Sequence, residues 1–158
     1  FCAGDADIGA AFERIRIEVL RQERDASTLR EEVLKMRQKM LDAHTNPSGL
    51  FDLKQDRGGI IDVEFIVQYL VLNFSSAHPE LTRNAGNLAL LRIAGELGLI
   101  PAELAEQVRD AYREYRQLQH QMRLQGSAHA RIDPAQVEEH AEAVKRLWQA
   151  VFKAEKGN

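Results

Sequence analysis

The sequence predicts an all-α protein, folded as an antiparallel bundle of about six helices. Apolar residues recur at intervals of three and four along most of the 158 residues, which is the spacing of one helix face. The four prolines and ten glycines stand mostly where helices would begin or end. The segments between the predicted helices are short, and short connections place neighbouring helices antiparallel. The length fits a single domain with its own core.

The first two predicted helices are separated by polar residues. Asp5 or Asp7 can cap the first helix, and its apolar residues share one face: Ile8, Phe12, Ile15 and Val19. Thr28 and Glu31 form the Thr-x-x-Glu pattern of a capping box, which would open the second helix. The apolar residues of that helix follow a 4-3-4 spacing: Leu29, Val33, Met36 and Met40. Residues 44–49, His-Thr-Asn-Pro-Ser-Gly, end it.

The third predicted helix, from about residue 60 to residue 77, is apolar nearly all round and should be the most buried. Its β-branched and aromatic residues would also suit a strand. The run is longer than a strand and lacks an alternation of period two, so a helix is the better interpretation. Residues 50–59 before it are loop-like, with an extended stretch around residues 51–53.

Glycine and proline delimit the last three predicted helices. Residues 86–97 form the fourth helix, which Gly98 ends. Pro101 suits the first position of the fifth helix, and Gly126 ends that helix. Asp133 and Pro134 cap the sixth. The residues expected to face inward are Leu104, Val108, Tyr112, Tyr115, Leu118 and Met122 in the fifth helix, and Val137, Val144, Leu147, Trp148 and Val151 in the sixth.

Composition excludes several classes of protein. A net charge of −3 gives no reason to expect binding to nucleic acid or to an anionic membrane, and no apolar run approaches the roughly 20 residues of a membrane span. The single cysteine, Cys2, cannot form a disulfide within the chain, so a reducing cytoplasm is the expected setting. The first residue is Phe1 rather than Met, which indicates a piece of a larger protein. The five histidines lack metal-site spacing, so no metal is expected here.

One segment, residues 51–65, departs from the bundle pattern. It concentrates charged residues and glycines beside the most apolar helix: Lys54, Arg57, Gly58, Gly59, Asp62 and Glu64. The glycine pair leaves backbone N–H groups uncovered just before a helix N-terminus, and such a place can receive a phosphate. The simpler interpretation is a tight turn into a helix whose first-turn acids favour the dipole. Without Mg²⁺, those acids would oppose an anion, and the spacing leaves both interpretations open.

Asp62 and Glu64 lie about 200° apart around a helix, so they cannot face one ligand side by side. One of them should face the site while the other anchors the loop or a basic residue. Asp5-Ala6-Asp7 resembles the Asp-x-Asp pair that holds Mg²⁺ in nucleotidyltransferases, but a cap is the better interpretation because only four residues precede it. The charged residues of the fifth helix are expected to form a solvated face with local ion pairs: Arg109, Asp110, Arg113, Glu114 and Arg116.

Residues 51–72 carry a specific resemblance. Their string, Phe-Asp-Leu-Lys-x-x-x-Gly-Gly-Ile-x-Asp-Val-Glu-Phe-Ile-Val-Gln-Tyr-Leu-Val-Leu, is similar to a signature of the glutamine synthetase adenylyltransferases. Residues 30–40 resemble the linker helix of that family. Residues 79–83 and 87–88 resemble the segment that follows the signature in its C-terminal half. The resemblance extends over nearly the whole chain, more loosely beyond about residue 100.

The resemblance implies an enzyme with two nucleotidyltransferase halves, each followed by a helical domain. The C-terminal half attaches AMP from ATP to a tyrosine of glutamine synthetase, the N-terminal half removes it, and PII signal proteins and glutamine regulate both. Thr82, Arg83 and an end soon after Trp148 favour the adenylylating half. Residues 1–26 would then be an N-terminal helix and remnant of the catalytic domain, residues 27–154 the bundle, and residues 155–158 a tail.

By this resemblance, Mg²⁺ and ATP bind to the full-length enzyme, and the present chain holds no catalytic residue and no cofactor. The residues expected to face the active cleft are Lys54, Gly58, Gly59, Asp62 and Glu64. Lys54 would approach a nucleotide phosphate or orient a carboxylate, and Asp62 or Glu64 would hold the interdomain geometry. An alternative is a regulatory module that binds glutamine synthetase or a PII protein without touching nucleotide. The related PII uridylyltransferase is disfavoured by the signature.

Overall fold

The computed structural model describes residues 4–153, so Cys2, Phe1 and the predicted tail at 155–158 lie outside the described residues. Six α-helices account for most of the described chain, which confirms the all-α bundle. Their bounds are α1 Ala6–Leu20, α2 Ala26–Ala43, α3 Ile60–Phe74, α4 Asn87–Glu96, α5 Ala102–Leu124 and α6 Glu138–Phe152. Two short strands, β1 Phe51–Asp52 and β2 Arg131–Ile132, pair antiparallel.

Helix α3 lies at the centre of the bundle, as its apolar sequence predicts. It contacts α2, α4, α5 and α6, and eight of its fifteen residues are buried. Val63 and Ile66 are fully inaccessible to solvent, and they join Val108 of α5 and Leu147 of α6 in one continuous core. Because packing surrounds α3 on all sides, the chain that leads into it is held in place by the whole bundle.

The helix starts differ from the predicted ones at three places. Helix α2 begins three residues early, because the Asp25 carboxylate accepts the Thr28 N–H at 2.7 Å and is the actual cap. Thr28 therefore lies inside the helix, and the predicted capping box is wrong. Pro101 is the residue before α5 rather than its first residue. Asp133 caps a short 3-10 turn, residues 134–136, and α6 starts after it.

Helix α1 lies on the outside of the bundle. Asp5 caps it by accepting the N–H groups of the next turn, as predicted. Its predicted apolar face exists but remains exposed, with 70% of Ile8 and 62% of Phe12 accessible to solvent. Polar contacts hold the helix instead, chiefly Arg16, which donates to the Thr82 carbonyl at 2.6 Å. Within residues 4–153, no helix combines the length and apolar character needed to cross a bilayer.

The strand pair joins two distant loops. Phe51 pairs with Ile132 and Asp52 with Arg131, and the Leu53 N–H donates to the Ala130 carbonyl at 2.9 Å. The extended stretch predicted at residues 51–53 is thus present. Its partner was not predicted, because a two-residue strand carries no alternation that a sequence pattern could reveal.

Candidate functional site

The turn between β1 and α3, residues 52–59, is fixed by its own carboxylates. Asp52 Oδ1 accepts the N–H groups of Lys54 and Gln55, each at 3.0 Å. Asp56 Oδ2 accepts the Asp52 N–H at 2.8 Å and the Asn46 side-chain amide at 2.9 Å. These bonds fix the backbone of the turn, so the positions from which its side chains extend into solvent are fixed as well.

Both glycines of the turn are required by close packing. Gly58 has a positive φ of 88°, and a Cβ added there would lie 2.7 Å from the Ala141 carbonyl oxygen of α6. A Cβ on Gly59 would lie 2.7 Å from the Leu53 carbonyl oxygen. Gly58 therefore lets α6 approach the turn at backbone distance, and Gly59 lets the turn close on its own backbone.

The N–H groups at the start of α3 all have acceptors inside the turn. The Gly58 N–H donates to the Asp62 carboxylate at 2.6 Å. The Gly59 N–H donates to the Asp56 carbonyl at 3.0 Å, and the Ile60 N–H to the Leu53 carbonyl at 2.9 Å. The Ile61 N–H donates to the Lys54 carbonyl at 3.2 Å. None of these four donors points to solvent for a phosphate to use. The geometry therefore fits the simpler interpretation of a tight turn into a helix.

A buried ion pair connects this turn to α2. Arg37 Nε lies 2.5 Å from Asp62 Oδ1, and the two residues are only 1% and 2% exposed. Arg37 also donates from Nη2 to the Gln55 carbonyl at 2.7 Å. Since Asp62 in turn accepts the Gly58 N–H, one arginine and one carboxylate tie α2, α3 and the turn together.

Sequence reasoning missed Arg37, although a signal was present. Leu29, Val33, position 37 and Met40 repeat at intervals of four, four and three, so Arg37 lies on the buried face of α2. The predicted pattern placed Met36 on that face, but Met36 is 55% exposed. A charged residue was read as solvent-facing because charges are seldom buried without a partner, and here the partner lies 25 positions away.

Tyr115 of α5 packs in the core and hydrogen-bonds to the same turn. Its hydroxyl donates to the Gly58 carbonyl at 3.0 Å, and its ring is fully buried. Burial raises the pKa of Tyr115 above its ordinary value, and the nearby negative charge of Asp62 raises it further. The expectation that Tyr115 belongs to the core is confirmed.

Lys54 and Glu64 both line a groove of about 260 Å³ beside the turn. Its lining is Lys54, Ile60, Glu64, Arg116, Gln119, His120 and Arg123, and we call it the cationic groove. Lys54 is exposed, and its ammonium group has no hydrogen-bond or ion-pair partner among residues 4–153. Three cations and one histidine therefore surround a single carboxylate, Glu64, which makes the groove attractive to anions.

Glu64 is held in place by a short relay. Tyr112 donates its hydroxyl to Glu64 Oε1 at 3.2 Å, and Asn87 donates its amide to the Tyr112 hydroxyl oxygen at 2.9 Å. Burial is the main cause that raises the pKa of Tyr112; the Asn87 hydrogen bond opposes the shift, and the charge of Glu64 adds to it. Tyr112 thus remains protonated at neutral pH and available as a donor.

Arg116 is exposed, as predicted for the solvated face of α5, and it also lines the cationic groove. Arg109 and Arg113 form the expected local pairs with Glu106 and Asp110. Arg116, one turn further on, donates to the Gln119 side chain at 3.3 Å, and both residues line the cationic groove. Periodicity could not show this, because the groove forms only where α5 passes the turn in three dimensions.

The five predicted site residues therefore lie at two levels. Lys54 and Glu64 share the cationic groove, whereas Gly58, Gly59 and Asp62 are buried beneath it. Asp62 anchors the loop while Glu64 faces the groove, which is the division that their angular separation predicts. Arg57 is exposed and donates to the Gln38 side chain at 2.8 Å. The residues between 4 and 153 contain no cluster of three histidine, cysteine or acidic side chains placed to hold a metal.

The chain is similar to a known protein family over most of its length. The family model described as GlnD PII-uridylyltransferase matches residues 27–145. The chain belongs to this family. The residues that match the GlnD PII-uridylyltransferase family include α3, the turn before it and every residue that lines the cationic groove.

Curated relatives carry a different function in their names. A bifunctional glutamine synthetase adenylyltransferase/adenylyl-removing enzyme of Aromatoleum aromaticum is 59% identical over 96% of this chain and 16% of its own length. Enzymes with the same name from Ralstonia nicotianae and Burkholderia mallei are 57% and 52% identical over 96% and 98% of the chain. The resemblance seen at residues 51–72 is thus confirmed. The chain spans about a sixth of the length of these relatives.

Proposed function

We propose that this chain is the helical domain of an enzyme that transfers AMP from ATP to a tyrosine of glutamine synthetase. In this proposal the cationic groove faces the active cleft of the catalytic domain that precedes it, and the chain alone is inactive. The observation that carries the proposal is that Lys54 and Glu64 share one groove above a turn whose own polar groups are satisfied internally. The cytoplasm, where glutamine synthetase and PII proteins act, is the proposed location.

The groove suits a supporting role in nucleotidyl transfer. That reaction depends on holding phosphates in line and stabilising negative charge, so a domain without a nucleophile can contribute strongly. Lys54, Arg116 and Arg123 would attract the phosphates of ATP, and Glu64 would orient a basic group across the cleft. Gly58, Gly59 and Asp62 act indirectly in this scheme, because they fix the turn that carries Lys54.

The residues that line the cationic groove do not fit a Mg²⁺ site. Mg²⁺ prefers several oxygen ligands, whereas the cationic groove offers one carboxylate, Glu64, among three cations. One Glu64 oxygen already accepts a hydrogen bond from Tyr112. The magnesium ligands of the full-length enzyme are therefore assigned to the catalytic domain.

Helix α1 supports the presence of a neighbouring domain. Its exposed apolar residues repeat at intervals of four, three and four, in one stripe: Ile8, Phe12, Ile15 and Val19. A stripe of this kind is seldom left in contact with water. Since the relatives are about six times as long as the chain, we propose that the preceding catalytic domain covers it.

The test is Lys54→Ala in the full-length enzyme, assayed for AMP transfer with saturating glutamine synthetase and PII protein. If Lys54 contacts a phosphate in the transition state, kcat should fall about 10- to 100-fold, the effect of losing one charge-assisted hydrogen bond. Lys54→Arg should retain more activity than Lys54→Ala. Lys39→Ala, on an exposed position of α2 outside the groove, is the matched control and should leave kcat unchanged. The isolated chain should transfer no AMP.

A docking module is the second candidate, because a cationic groove also suits an acidic protein surface. In that case Lys54→Ala should weaken the affinity for glutamine synthetase or the PII protein while kcat at saturation stays unchanged. The description of the matching family also names PII uridylylation. Offering labelled ATP and labelled UTP with both acceptor proteins separates the two activities: we expect label from ATP on glutamine synthetase, and label from UTP on PII would contradict the proposal.

A further inference from the structure

A second cavity adjoins the cationic groove on the far side of Lys54, Gln119 and Arg123, which line both. It measures about 440 Å³, within the range of cavities that enclose small ligands. One wall is the end of α2 with residues 44–46, and the opposite wall is the segment 127–131 that leads into β2. We call this cavity the loop pocket.

Cations dominate the lining of the loop pocket. Lys54, Arg123 and Arg131 bring three permanent positive charges, and His44 and His129 stand on opposite walls. The neutral hydroxyls of Thr45 and Ser127 also line it, as hydrogen-bond donors. The chain as a whole has a net charge of −3, so this concentration of positive charge is a local feature of the pocket.

The one carboxylate in the lining does not cancel these charges. Asp52 Oδ1 accepts two backbone N–H groups of the turn. Its Oδ2 is 3.4 Å from Arg131 Nε, a long contact that leaves the other guanidinium nitrogens of Arg131 without a partner among residues 4–153. Arg123 likewise has no acceptor among those residues, although both arginines border the pocket.

We propose that the loop pocket binds a phosphate-bearing small molecule. Arginine forks and an ammonium group bind phosphate oxygens well, and they reach the pocket from α5, β2 and the turn. The concave shape and limited volume favour a small molecule over a protein surface, since a docking surface is flatter and larger. This inference stands on the lining residues and does not depend on which nucleotide the full-length enzyme uses.

The test places a negative charge in the pocket without disturbing the core. Ala128 lines the pocket from an exposed, irregular loop, so Ala128→Glu should fold normally, and Ala128→Gln is its neutral control. The full-length enzyme is titrated calorimetrically with inorganic tripolyphosphate. Ala128→Glu should weaken one binding event about tenfold, the effect of one nearby like charge. Ala128→Gln should match the wild-type titration.

A second variant removes positive charge from the same pocket. His129→Gln combined with Arg131→Gln should weaken the same binding event at least as strongly, while Arg113→Gln, on the outer face of α5, should have no effect. Titrations of Ala128→Glu and Ala128→Gln that coincide, or the absence of a binding event sensitive to the charge of the pocket, would overturn the inference. Lys54 lines both the loop pocket and the cationic groove, so Lys54→Ala alone does not separate the two proposals. Ala128, His129 and Arg131 line only the loop pocket. Weakened tripolyphosphate binding in their variants therefore tests the loop pocket, whatever the outcome for AMP transfer with Lys54→Ala.

Discussion

At the scale of single residues, Gly58 shows most clearly how sequence and structure are connected. It combines a positive φ of 88° with a neighbouring backbone carbonyl, that of Ala141, at a distance that no side chain tolerates. Gly126 also has a positive φ, 79°, but open space around it. Comparing substitutions at the two glycines therefore separates the free-energy cost of a side chain at positive φ from the cost of a steric clash.

Gly58→Ala should destabilise the chain by about 2–4 kcal/mol, since it adds a steric clash to the conformational penalty. Gly126→Ala should cost only about 1 kcal/mol, the penalty for the left-handed conformation alone. Urea unfolding of the 158-residue chain and of each variant measures both values. Equal losses at the two positions would show that α6 does not press on the turn as described.

The glycine pair is visible in the sequence, but its structural role is not. Two adjacent glycines before a helix fit both a phosphate-binding loop and a tight turn, and the choice depends on where each N–H points. That direction is set by Asp62 and by carbonyls of the turn, which no spacing rule reveals. Lys54 and Glu64 stand out in the sequence because residues 51–65 concentrate charge, and the resemblance supports them. The positions of Arg116 and Arg123 in the groove are set by the packing of α5 beside the turn.

At the scale of elements, the bundle was predictable because its helices are long and strongly periodic. The boundaries were less predictable, and α2 shows why. Its start is decided by Asp25, an ordinary acid that lies three residues before the more conspicuous Thr28. Hydrogen bonds from the side chain and backbone of Thr28 hold the pKa of Asp25 below its ordinary value, as expected for a carboxylate at a helix N-terminus.

The link between α2 and α3 can be tested through Arg37. Arg37→Met leaves Asp62 buried without its counter-charge and should destabilise the chain by about 3–5 kcal/mol. Adding Asp62→Asn should restore part of this loss, because a neutral amide can still accept the Gly58 N–H. Arg113→Met, which breaks an exposed pair on α5, is the control and should change stability by less than about 0.5 kcal/mol.

Chemical denaturation of the four proteins decides this point. If the double variant is no more stable than Arg37→Met alone, the ion pair is not the contact that fixes the turn.

At the scale of the whole molecule, charge and exposure divide the surface into distinct regions. The chain is acidic on average, yet the cationic groove and the loop pocket bring positive charge together from α5, β2 and the turn. On α1, an apolar stripe remains exposed. The sequence contained each of these residues, but their clustering depends on tertiary contacts between segments as distant as residues 54 and 131.

The proposed role of Lys54, to face a bound nucleotide in the full-length enzyme, can be tested directly. The most direct measurement is an experimental structure of that enzyme with ATP and glutamine synthetase bound. We expect Lys54 Nζ to lie within about 4 Å of a phosphate oxygen, the range of an ion pair, with Glu64 on the same side of the cleft. A structure in which the cationic groove opens to solvent, away from the catalytic domain, would contradict it.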